Sequence, residues 1–151
     1  MRFVASSIVL SALALGLCCA PAFAIDERID QQTMAALLVK AEQAAPKEQC
    51  FLYAELVHQM TELAGQQYNS GDDDHASQTL RLVQKYAEKI HMGVAQDGKK
   101  LKNAEELMRH TSFRLTGILN AASYEDRQAL QATLKQLEQV QTELMMQVFK
   151  K

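Results

Sequence analysis

From Ala76 to Ala122 apolar side chains recur in alternating steps of four and three, through Leu80, Val83, Ala87, Ile90, Val94, Leu101, Ala104, Met108, Leu115 and Ile118. That spacing keeps one stripe along an α-helix and would scatter over both faces of a strand, so it restricts the segment to helix. A stripe needs something to cover it. The expected fold is therefore all-α: an antiparallel bundle or hairpin array with coiled-coil-like contacts. The register passes Gln96-Asp97-Gly98-Lys99 unshifted, and an interior glycine costs only about 1 kcal/mol. The pattern thus predicts one unusually long helix over 73–121, about 75 Å at about 1.5 Å per residue, in preference to two helices hinged at Gly98.

The flanking segments extend the same reading. A first helix is predicted over 26–45, ended by Pro46, because the residue before a proline is pushed out of helical geometry. A second follows over 47–69, with Leu52, Leu56, Met60 and Leu63 on one face. Ser70-Gly71 closes it, and Asp72-Asp73-Asp74 opens the next, since glycine suits a helix end and carboxylates a helix start. Ser123, with Glu125 and Asp126 behind it, caps a last helix over 124–149 that packs back on the long one, its stripe running through Leu130, Leu134, Leu137, Gln141, Leu144 and Val148.

The N-terminus is different in kind. Met1-Arg2-Phe3 leads into the apolar run from Val4 to Cys19 and then Ala20-Pro21-Ala22-Phe23-Ala24. A basic start, a short apolar stretch and small residues at Ala22 and Ala24 form the pattern of a secretory signal over 1–24, cleaved after Ala24. Leu17 before Cys18 does not suit a lipid-modified cysteine. No later stretch has the roughly 18 consecutive apolar residues of a membrane helix, so no stable membrane insertion is expected after cleavage. The mature part, 25–151, has the length of a single domain, placed in the periplasm or secreted. Its charges are interspersed, with no basic patch of the kind that binds nucleic acid.

Cys50 is the one cysteine left after cleavage. In an oxidising compartment it is a buried inert thiol, a reactive thiol or an intermolecular bridge. Its place in the first turn of the second helix, near Lys47, would favour the thiolate. Glu55 with His58, and Glu88 with His91, form two Glu-x-x-His pairs on adjacent helices, the spacing with which ferritin-like bundles hold two metals. At about 100° per residue, however, Glu55, His58 and Glu88 point away from the apolar stripes. No metal or other cofactor is expected, and these four are the metal candidates should one bind. His110, four residues after Glu106, and His75 read as solvated charge or weak surface ligands, and Met145-Met146 with Phe149 as core and end packing. No catalytic elbow, phosphate loop or zinc-spaced cluster is present.

Between Glu55 and Tyr86, Leu63-Ala64-Gly65-x-x-Tyr68, Gly71-Asp72, Ala76 and Leu80 resemble one tetratricopeptide helix pair, in which small residues let two helices approach. One fewer residue separates Tyr68 from Gly71 than is usual there, and no second copy follows. The resemblance implies a helical hairpin and protein or peptide binding. The mature chain as a whole is similar to small exported helical proteins of bacteria. The sequence therefore predicts an exported, non-enzymatic interaction or structural module whose partner is another protein or itself, with Phe113 and Leu82 as apolar groups off the main stripe. The alternatives are a coiled-coil-like homodimer, its register fixed by Gln141, and a metal-binding or redox helical protein using the Glu-x-x-His pairs and Cys50.

Overall fold

Helix boundaries follow local chemistry. Pro46 stands at the first turn of its helix, where its missing N–H is no loss. At the other end Gly71 adopts φ +76°. That left-handed residue lets the N–H of Asp72 donate to the carbonyl of Gln67 at 2.9 Å and that of Gly71 to Tyr68 at 3.1 Å. Ser123 accepts from the N–H of Asp126 and caps the last helix. The computed structural model describes residues 31–94 and 100–150. They form five helices: α1 (Gln31–Gln43), α2 (Pro46–Asn69), α3 (Asp73–Val94), α4 (Leu101–Ala121) and α5 (Tyr124–Val148). The signal reading of 1–24, with Ala22 and Ala24, the predicted start of the first helix at 26, and Gly98 itself all lie outside the described residues.

The single long helix over 73–121 is corrected. Lys100 is left-handed at φ 62°, and α4 begins only after it. The chain reverses between Val94 and Leu101, as the neighbours of α2 show. Gln67, near the end of α2, accepts from Thr79, near the start of α3, and the start of α2 at Cys50 meets the end of α3 at Gly93, so α2 and α3 are antiparallel. In contrast Phe51 meets Lys100 at one end of α2 and Gly65 meets Ile118 at the other; α2 and α4 run parallel. Val94 and Leu101 are one heptad apart, so the count of fours and threes keeps phase whatever path the backbone takes between them.

The architecture is two antiparallel hairpins, α2/α3 and α4/α5, laid side by side. Residue pairs joined across them are 53 apart (His58 and Thr111) or 52 apart (Glu62 and Arg114, Gln84 and Gln136). Helix contacts close a ring in the order α2, α3, α5, α4, while α1 packs on α2. Leu56, Leu80, Ile90, Met108, Leu115, Leu130, Leu137 and Leu144 are fully buried at the centre, and Tyr53 stacks on Tyr86 with ring centroids 6.1 Å apart.

Two further expectations change. On α5 the buried row is Leu130, Thr133, Leu137, Val140 and Leu144, so Leu134 and Gln141 lie beside the seam rather than in it. The chain places a threonine in the core because its hydroxyl donates within the helix to Ala129 and accepts from Gln84 across the α3/α5 contact. Met145, Met146 and Phe149 are exposed rather than packed at the end. Phe113 and Leu82, paired in the sequence reading, stand on α4 and α3, which face each other diagonally across the ring, so they belong to separate surfaces.

Candidate functional site

The parallel contact of α2 with α4 is unusually close at one end and open at the other. A Cβ built on Gly65 would lie 3.0 Å from Ile118 Cδ1; glycine is what lets the two helices approach there. Toward the other end they leave a cleft of about 390 Å³ lined by Phe51, Glu55, His58 and Gln59 from α2 and by Asn103, Glu106, Leu107 and His110 from α4. Phe51 and Leu107 give it apolar surface, and the rest of its lining is polar, with two carboxylates and two imidazoles.

His58 is the hinge of this arrangement. The Thr111 hydroxyl donates its one hydrogen to the carbonyl of Leu107 at 2.7 Å, so it can only accept from His58 Nδ1, 3.0 Å away. The hydrogen of neutral His58 is thereby fixed on Nδ1, and Nε2 keeps its lone pair. Burial lowers the pKa of His58 from the ordinary 6.5; the Glu62 carboxylate opposes the shift and His110 adds to it. The half-buried position contradicts the expectation that His58 faces away from all packing. That expectation assumed one buried stripe on α2, whereas α2 is covered by α1, α3 and α4 together.

A pH dependence follows. The unfolded chain binds a proton on His58 at a pH where the folded chain still refuses it, so stability is full above about 6.5 and falls as pH drops through the lowered folded value. His75 works the other way, because its bond to Asp72 at 2.7 Å raises its pKa; its contribution is present below 6.5 and fades as pH rises through the folded value. Comparing urea midpoints at pH 7 and pH 5.5 for the wild type and His58→Gln cancels the common His75 contribution. The variant should lose less stability on acidification, and equal losses would contradict the assignment.

The remaining candidates are dispersed. Glu88 is exposed on α3, and His91 bonds Glu143 of α5, so the second Glu-x-x-His pair faces a different helix from the first. Among the described residues no group of three or more His, Cys, Asp or Glu is gathered to hold a metal ion. Cys50 has no exposed surface and packs against Gly93. Burial pushes its thiol up to about 11, the opposite direction to the lowering expected from its place at a helix start. A bridge to a second chain would require the α2/α3 contact to open. No helix among the described residues is long and apolar enough to cross a membrane.

The cleft was not visible in the sequence. Glu106 and His110 were noted only as a pair on one helix, and nothing local places them opposite Glu55 and His58. Phe113, noted as off-stripe, is 82% exposed and lies one turn beyond His110 on α4, since residues three apart are neighbours on a helix. No family model matches the chain, and neither a search of curated proteins nor one of solved structures finds a significant match.

Proposed function

We propose that this chain is an exported, non-enzymatic interaction module that docks a partner protein on the face formed by α2 and α4. The observation that carries the reading is Phe113, a large aromatic 82% exposed in mid-helix, one turn from His110 in a cleft lined by both apolar and polar side chains. A lone exposed apolar residue is ordinary. An aromatic anchor next to a concave, partly polar surface is the usual anatomy of a binding patch, and burying the ring on a partner would contribute about 1.5 to 3 kcal/mol. The export part rests on the signal-like residues 1–24, and the tetratricopeptide-like hairpin of α2 and α3 is consistent with peptide or protein binding. The non-enzymatic part rests on Cys50 being buried with its thiol pushed up to about 11, and on the Thr111 hydroxyl beside His58 donating to the Leu107 carbonyl rather than to the imidazole.

A photo-crosslinking amino acid placed at position 113 should give one discrete adduct in the native cell envelope, and the same probe at the exposed Lys135 of α5 should not. No adduct at 113, or the same adducts from both positions, would contradict the reading. An adduct with the mass of two copies of the chain would replace it with self-association, for which the exposed Met145, Met146 and Phe149 at the C-terminal end of α5 are the competing surface.

A further inference from the structure

The chemistry of the cleft says what kind of partner group it receives. Its formally charged groups are the carboxylates of Glu55 and Glu106, set beside the amides of Gln59 and Asn103 and the rings of His58 and His110. Glu55 makes no ion pair or side-chain hydrogen bond among the described residues. Glu106 meets only Arg109, at 4.0 Å with both side chains more than half exposed, a pairing that stabilises little and yields readily. His58 Nε2 holds a lone pair, because its other nitrogen donates to Thr111. Gln59 Oε1 is buried with no hydrogen-bond partner, and a buried acceptor left unpaired costs about 1 to 3 kcal/mol. Phe51 and Leu107 supply apolar surface for an aliphatic stem. At the mouth the Lys100 ammonium stands 4.7 Å from the centre of the Phe51 ring, a place that an incoming cationic side chain would take over by displacing it.

We propose that the α2/α4 cleft receives the cationic end of a basic side chain, an arginine or lysine of the partner docked on this face, between the carboxylates of Glu55 and Glu106. This rests on the docking reading above and adds its specificity. The stem lies on Phe51 and Leu107, as long basic side chains commonly cover apolar surface while their charged ends reach polar groups. The two carboxylates face the charge, and His58 Nε2 accepts one of its remaining hydrogens. A guanidinium, with five donors in a planar fork, fills such a set of acceptors more completely than an ammonium. The partner surface is accordingly basic beside an apolar contact for Phe113.

The test uses ethylguanidinium chloride as the probe and amide chemical shifts of the isotope-labelled chain as the readout, with sodium chloride at matched ionic strength as reference. Saturable shifts should cluster at Glu55, His58, Glu106 and His110. They should weaken at least tenfold in Glu55→Gln/Glu106→Gln and persist in Phe113→Ser. Persistence in Phe113→Ser separates the two readings, because loss of the partner crosslink at 113 with an intact guanidinium response would remove the docking surface and leave the cation site. Shifts that grow linearly and spread over the surface, or an undiminished response in the double Gln variant, would overturn the proposal. A zinc response tighter than that to ethylguanidinium and abolished by His58→Gln would overturn it in favour of a metal.

Discussion

Gly65→Val should destabilise the protein by about 2 to 3 kcal/mol, the upper range for overpacking a well-filled contact. A single Cβ at this position already stands 3.0 Å from Ile118 Cδ1 and 3.4 Å from Ile118 Cγ1, and valine adds two more carbons on a side chain with one favoured rotamer in a helix. Alanine separates the two contributions. Its methyl needs only a small turn of the Ile118 end, and it gains about 1 kcal/mol of helix propensity over glycine, so Gly65→Ala should be close to neutral. Ile118→Ala in the valine background should recover part of the loss, with a coupling of about 1 to 2 kcal/mol in a double-mutant cycle followed by urea midpoint. Additive losses would mean that α2 and α4 do not meet at these residues.

Leu115→Ala should cost about 2 to 5 kcal/mol, the range for deleting most of a fully buried leucine and leaving a cavity, while Phe113→Ala, two residues away, should change stability by less than about 0.5 kcal/mol. Leu115 has no exposed surface and Phe113 is 82% exposed, so the contrast reads out which face of α4 is turned to the core. The pair also divides function from fold. Leu115→Ala acts on the folded fraction, whereas Phe113→Ala should lose the partner with the thermal midpoint unchanged. Denaturation of the two variants alongside crosslinking from a probe at the exposed neighbouring position 110 distinguishes them, and a large stability loss from Phe113→Ala would mean that the ring is packed rather than presented.

The all-helical class was legible because each helix writes its own start, stop and stripe in neighbouring residues. Pro46, Ser70-Gly71 and Ser123 mark boundaries where the structure places them. The stripe of α3 and α4 was correct residue by residue, from Ala76 to Ile90 and from Leu101 to Ile118. Its connectivity was misread, because a heptad gap preserves phase through a reversal. A stripe also reports only the deepest face. Helix α2 has partners on three sides, and the half-buried edges carrying His58 and Gln59 follow from α4, whose residues stand about fifty positions away in the chain. The same blindness affected Cys50, whose sequence neighbours include a helix start and Lys47 but whose spatial neighbour is Gly93. On α5 the stripe slipped by one residue because Thr133 is polar by composition, and only the Gln84 contact shows why it is buried.

The side-by-side placement of the two hairpins creates the α2/α4 face, and one distance tests it. Spin labels on Glu62→Cys and Arg114→Cys replace an exposed ion pair that is 2.9 Å long, and the buried Cys50 does not compete for the label. Parallel packing of α4 on α2 requires the labels to be neighbours, with a distance set by the label arms alone and about 20 Å or less, given helix axes about 8 to 10 Å apart. A single helix running on from α3 would carry position 114 away from α2 and separate the labels by about 50 Å at about 1.5 Å per residue. The short distance is expected; the long one would abolish the cleft and the function argued from it.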